Sequence, residues 1–101
     1  GWCTVVQGTE SGLQRIVGSP GAPETQADVA PWLPIDQAEA LDAAADWVPQ
    51  LWRDMYTTLA AAPLGDRQIA VVLGRPGGPQ FRPSEVARLG YLAGIVATIL
   101  R

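Results

Sequence analysis

Histidine and lysine are both missing from this chain of 101 residues, and cysteine, methionine and phenylalanine occur once each. Without histidine there is no Ser-His-Asp triad, no His-ligated haem and no His-based zinc site. The lone thiol, Cys3, can neither close an internal disulfide nor build a Cys-rich metal centre, which excludes a disulfide-stapled secreted scaffold. Charge is sparse too, at 17% of residues, against about 25% in ordinary globular chains. The seven arginines are scattered and the formal net charge is −3. No basic patch forms, so nucleic acid is not expected as a direct partner. The longest apolar stretch, residues 86–100, is interrupted by Arg88, Gly90, Gly94 and Thr98. It falls short of the ~20 residues a membrane span needs. The chain opens directly into a strand-like run with no leader pattern. A soluble domain of a reducing compartment, the cytoplasm, is the expectation, without membrane contact and without a cofactor.

What is present is apolar material and tryptophan. Hydrophobic residues make up 48% and four are Trp, enough for the core of one small domain. A chain this poor in charge is expected to cover part of its surface with a partner, or to have lost flanking segments. Residues 2–7 and 13–17 read as a β-hairpin around the turn cluster 8–12. Residues 18–31, rich in Gly and Pro, read as a loop. Residues 32–36 allow a short edge strand. Asp36 and Glu39 have capping-box spacing, with Asp in the Ser/Thr role, and predict a helix from about Gln37 to Ala45. One or two helical turns follow over 49–54. Residues 56–64 read as a strand diluted by alanine. The unbroken run from Ile69 to Leu73 reads as a central strand buried on both faces. Pro83 and Glu85 open a helix whose apolar residues recur at helical spacing to the end. Strand pairs separated by helices imply an α+β fold, an antiparallel sheet with helices on its faces.

The segment YTTLAAAPLGDRQIAVVLGRPGGPQFRPSEVARLGYLAGIVATIL, residues 56–100, resembles the C-terminal half of a GAF domain. Pro63-Leu64 ends one strand, Gly65-Asp66 turns the chain, and Gly74 ends the next strand. Phe81 precedes a helix carrying Leu89 and Leu92-Ala93. Residues 2–55 match more loosely. The resemblance implies a GAF-like (profilin-like) antiparallel sheet with helices packed on its faces, one domain over residues 1–101. GAF domains usually begin with a long helix beside the C-terminal one, so that helix is expected upstream in a longer multidomain chain. The family's methionine-sulfoxide reductases use several cysteines, and its bilin and haem branches use a Cys or a His in the variable middle. This sequence has neither there, so no catalysis is expected.

The resemblance also implies a pocket for a small molecule under the middle helices. Trp47, Trp52, Arg53 and Tyr56 fall where such a pocket would be lined, aromatics for buried area and Arg for its planar fork. The plainer alternative is that the tryptophans plug the core. Asp36, Glu39, Asp42 and Asp46 would share one helix face, which reads as a solvated face rather than a cation site. Gly74 to Gly78 lacks the Lys-Ser/Thr pair of a phosphate loop and reads as a turn. The last helix has more apolar residues than one packing face uses, and Leu89, Gly90, Gly94 and Val96 are the expected seam of a homodimer or a partner domain. Two functions stay open. One is a sensory or regulatory domain signalling through its last helix. The other is a ligand-free dimerisation module in a transcription regulator or signalling protein.

Overall fold

Strict in-out alternation along residues 2–9 sets the middle of the molecule. Trp2, Thr4 and Val6 are buried on one face, while Cys3 and Val5 point to the other. The computed structural model describes residues 1–10, 12–22, 26–27, 31–42, 44–48 and 50–100. Its elements are β1 (Trp2–Thr9), β2 (Gly12–Gly18), β3 (Gln26–Ala27), β4 (Glu39–Leu41), α1 (Gln50–Asp54), β5 (Thr57–Pro63), β6 (Ile69–Pro76) and α2 (Pro83–Leu100). The six strands form one sheet in the order β3-β2-β1-β6-β5-β4, and each neighbouring pair is antiparallel. The α+β architecture expected from the sequence is the one observed.

Each face of the sheet carries its own core. On the first face Val6, Leu59 and Val72 meet Trp2, Trp47 and Trp52. On the second, Ala60, Ala62, Leu89 and Ala93 bury one another, with Phe81 and Val86 packed alongside. The alanines of β5 are thus structural. Leu59 and Ala61 serve the tryptophan face and Ala60 and Ala62 lie beneath α2, with all three alanines fully buried. Small side chains let the helix sit close to the sheet. The central place expected for the Ile69–Leu73 run is observed, but its burial is one-sided. Ala70 and Val72 are fully buried, while Ile69, Val71 and Leu73 keep partial exposure.

Four local expectations are corrected. The hairpin turn is tighter than residues 8–12, because Gly8 pairs with Leu13 and Thr9 with Gly12 in the ladder. Gln26–Ala27 forms a two-residue strand on β2 within the segment read as loop. Residues 32–36 form no strand. The helix over Gln37–Ala45 is replaced by the edge strand β4, whose Leu41 pairs with Leu59. The open edge of β5 offers ladder partners that override the local helix signal. Asp36 accordingly caps nothing there and pairs with Arg67 at 2.6 Å, while Asp42 accepts the Ala44 N–H at 2.9 Å. The acidic residues therefore share no helix face. Pro49, expected to open the short helix, lies outside the described residues.

β6 also runs on to Pro76, past the Gly74 expected to end it. Glycine is required at 74 for another reason. It sits opposite Trp2, and a Cβ there would run into the indole ring. The turn begins at Gly77. Phe81, two residues before α2, packs against the core under that helix.

Candidate functional site

On the first face the four tryptophans form a chain of indoles. Trp2 and Trp52 have centroids 4.9 Å apart, Trp47 and Trp52 6.3 Å edge-on, and Trp32 and Trp47 5.5 Å. β1 presents Trp2, and α1 presses Trp52 onto the sheet until 1% of it remains exposed. Among the described residues, the indole N–H groups of Trp2, Trp32 and Trp52 and the hydroxyl of Thr57 are buried without a partner. An indole N–H can only donate. This layer therefore offers three indole donors beside one hydroxyl that can donate or accept, and each buried orphan costs about 1–3 kcal/mol.

The structure brings Trp47 and Trp52 together and sends the other two expected ligand residues elsewhere. The Arg53 fork donates to the carbonyls of Val48 (3.1 Å) and Asp46 (2.8 Å), tying down the loop before α1. Tyr56 is 83% exposed and holds a left-handed backbone with φ 51°. Trp2, one of the four tryptophans weighed as pocket lining or core plug, belongs to the layer, and so does Thr57, which sequence reasoning did not place there. Their signal was register: both fall on the inward positions of their strands.

The second face carries a groove of about 510 Å³ between α2 and the strands β1 and β6. Val5, Val71 and Leu73 line its sheet side and Leu92 and Val96 its helix side. Cys3 also lines it, half-buried, and burial pushes its thiol above the usual range. At one end Arg75 stacks over Phe81 at 4.2 Å, donates to the Pro79 carbonyl at 3.2 Å and pairs with Glu85. The other oxygen of Glu85 accepts the Arg82 N–H at 2.9 Å, the return half of a capping box. That bond first, and the Arg75 guanidinium next, hold the Glu85 carboxyl below its ordinary range. The stretch that superficially resembled a phosphate loop is a junction locking the start of α2.

Of the four residues expected at a helix seam, two turn inward. Leu89 is buried against the sheet, and Gly90 lies over Ala38, where an added Cβ would stand only 2.9 Å from that methyl. Gly94 and Val96 are exposed. The outward apolar side chains of α2 are Tyr91, Leu92, Ile95, Val96 and Ile99, between 41% and 74% exposed. Among the described residues no set of His, Cys, Asp or Glu side chains is grouped to hold a metal ion, and no helix is long and apolar enough to cross a membrane.

This arrangement, an antiparallel sheet with a tryptophan layer on one face and a long terminal helix on the other, is a GAF-like fold. The solved structure of a GAF domain/HD domain protein from Geobacter sulfurreducens superposes with a TM-score of 0.67 at 19% sequence identity, covering 98% of this chain and 78% of that one. No family model matches the sequence, and no curated protein matches it.

Proposed function

We propose that this chain is a non-catalytic, cytoplasmic regulatory domain. It binds a small molecule or a partner domain and passes the change along α2 to a second copy or to an output domain. The observation that carries this reading is the outward stripe of α2. Five large apolar side chains stand in water on one helix, and no charged residue follows Arg88 before residue 101. Such a patch marks a contact surface. The orphaned donors of the tryptophan layer support the sensory half, because a ligand bearing acceptor atoms would satisfy groups left unpaired among the described residues. Signal transfer is then a population shift between two packings of α2. The second reading, a ligand-free dimerisation module, is favoured by the indole stacking itself, since the rings fill the layer where a ligand would sit.

Light scattering tests the helix: the wild type is expected to be dimeric at micromolar concentration and Val96→Glu monomeric. A monomeric wild type across that range refutes the helix reading. Tryptophan fluorescence during a metabolite screen separates the two functions. A saturable change that weakens in Trp52→Phe supports the sensor. A silent screen, with a dimer in hand, supports the module.

A further inference from the structure

Besides the indoles, the buried polar side chains among the described residues are Thr4 and Thr57, and neither carries a charge. Thr4 donates its hydroxyl hydrogen to the Val17 carbonyl at 3.1 Å. The Thr57 hydroxyl has no partner among the described residues, and the indole N–H groups of Trp2, Trp32 and Trp52 share that condition. Thr57 lies two positions before Leu59 on β5 and so shares its face, the tryptophan face. Trp2 and Trp52 stand there with ring centroids 4.9 Å apart. Buried polar groups in folded proteins are nearly always paired, so orphans gathered on one face call for a partner from outside the chain. The nearest cation along the chain, Arg53 beside Trp52, is already spent. Its fork is committed to the carbonyls of Val48 and Asp46. The layer thus offers hydrogen-bond donors without a free charge.

Taking the sensory reading above as the basis, we infer that the ligand of this layer is a small uncharged molecule that presents a carbonyl acceptor, such as a ketone or a fully substituted amide. An anion would lose its water and find no cation to pair with. An ammonium ion brings only donors to a place already rich in them. A purely apolar ligand leaves every orphan as it was. A carbonyl oxygen has two lone pairs, accepts from an indole N–H or from the Thr57 hydroxyl, and demands no donor hydrogen in return.

Probes built on one ring isolate the chemistry: cyclohexanone, methylcyclohexane, cyclohexanecarboxylate and cyclohexylammonium. NMR follows the indole N–H signals of the isotope-labelled chain, assigned through single Trp→Phe variants. Cyclohexanone should move the Trp2 and Trp52 signals downfield with saturation. It should bind at least about fivefold more tightly than the other probes, as one net hydrogen bond supplies. Thr57→Val removes an orphan at nearly constant shape. It should raise the urea midpoint of the free chain and weaken cyclohexanone binding, a pairing of effects that a merely structural role does not produce. Trp52→Phe keeps an aromatic ring, loses the donor and should weaken binding as well. Unchanged affinity in both variants overturns the proposal, as does equal binding of methylcyclohexane. Tighter binding of the carboxylate or the ammonium ion overturns the ligand class and leaves the sensory reading standing. A saturable shift with none of the probes also overturns the class, and the sensory reading is then decided by the metabolite screen.

Discussion

Adding one methyl group at residue 74 tests the packing logic of the sheet. Gly74 pairs with Trp2 across β1 and β6, and a Cβ at 74 would overlap the indole Cε2 and Cζ2 atoms. The ring has little freedom to move aside. Trp2 is 6% exposed and stacks against Trp52 at 4.9 Å. Residue 74 cannot retreat either, because β6 is hydrogen-bonded on both sides, to β1 and β5. Overpacking of this kind costs about 1–3 kcal/mol, and we place Gly74→Ala near the upper half of that range. For a domain of about 100 residues, 2 kcal/mol lowers Tm by roughly 8–16 °C. Urea unfolding followed by tryptophan fluorescence measures the change, with the midpoint shifted and the slope kept. The decisive arm is Trp2→Leu, which clears the space. In that background Gly74→Ala should cost less than about 0.5 kcal/mol, a coupling that only touching residues show. A wild-type-like Gly74→Ala, or an equal cost in both backgrounds, would refute the reasoning.

Two glycines of α2 should respond with different signs. Gly94→Ala meets nothing within 4 Å and should stabilise by about 0.5–1 kcal/mol through helix propensity. Gly90→Ala presses on Ala38 at 2.9 Å and should lose that gain, as paired urea titrations would show. Tyr56→Gly relieves a left-handed backbone in a side chain that is 83% exposed. It should raise stability by up to about 1 kcal/mol, read from the same titrations. The lowered pKa of Glu85 means that its stabilising effect is present above the ordinary carboxylate pKa and is lost as pH falls through the depressed folded value. Glu85→Gln should therefore flatten the decline in Tm below about pH 4.5, the ordinary value, and an unchanged pH profile would show the contact to be idle.

Legibility followed the reach of the interactions. The α2 start was readable because Pro83 and Glu85 act within one turn of it. β6 and its central place were readable because a continuous apolar run of strand length has few other homes. The middle of the chain was not. Residues 37–45 carry local signals for a helix, yet they form β4 because β5, some twenty residues later, offers an edge. The inward turn of Leu89 and Gly90 and the outward turn of Ile95 and Ile99 depend on the angle at which α2 meets the alanines of β5, which no spacing within the helix records.

By itself the sequence determined what chemistry is excluded, through its missing histidines and its single cysteine, and it determined the GAF-like second half through local turns and an unbroken strand. Only the tertiary structure decided what Gly74 is for, set Thr57 among the tryptophans, and paired Arg75 with Glu85 at the start of α2. Turns and caps act between near neighbours, so they are written in order along the chain. Burial and orphaned donors are properties of surfaces brought together from distant segments, and they exist only once the sheet has assembled.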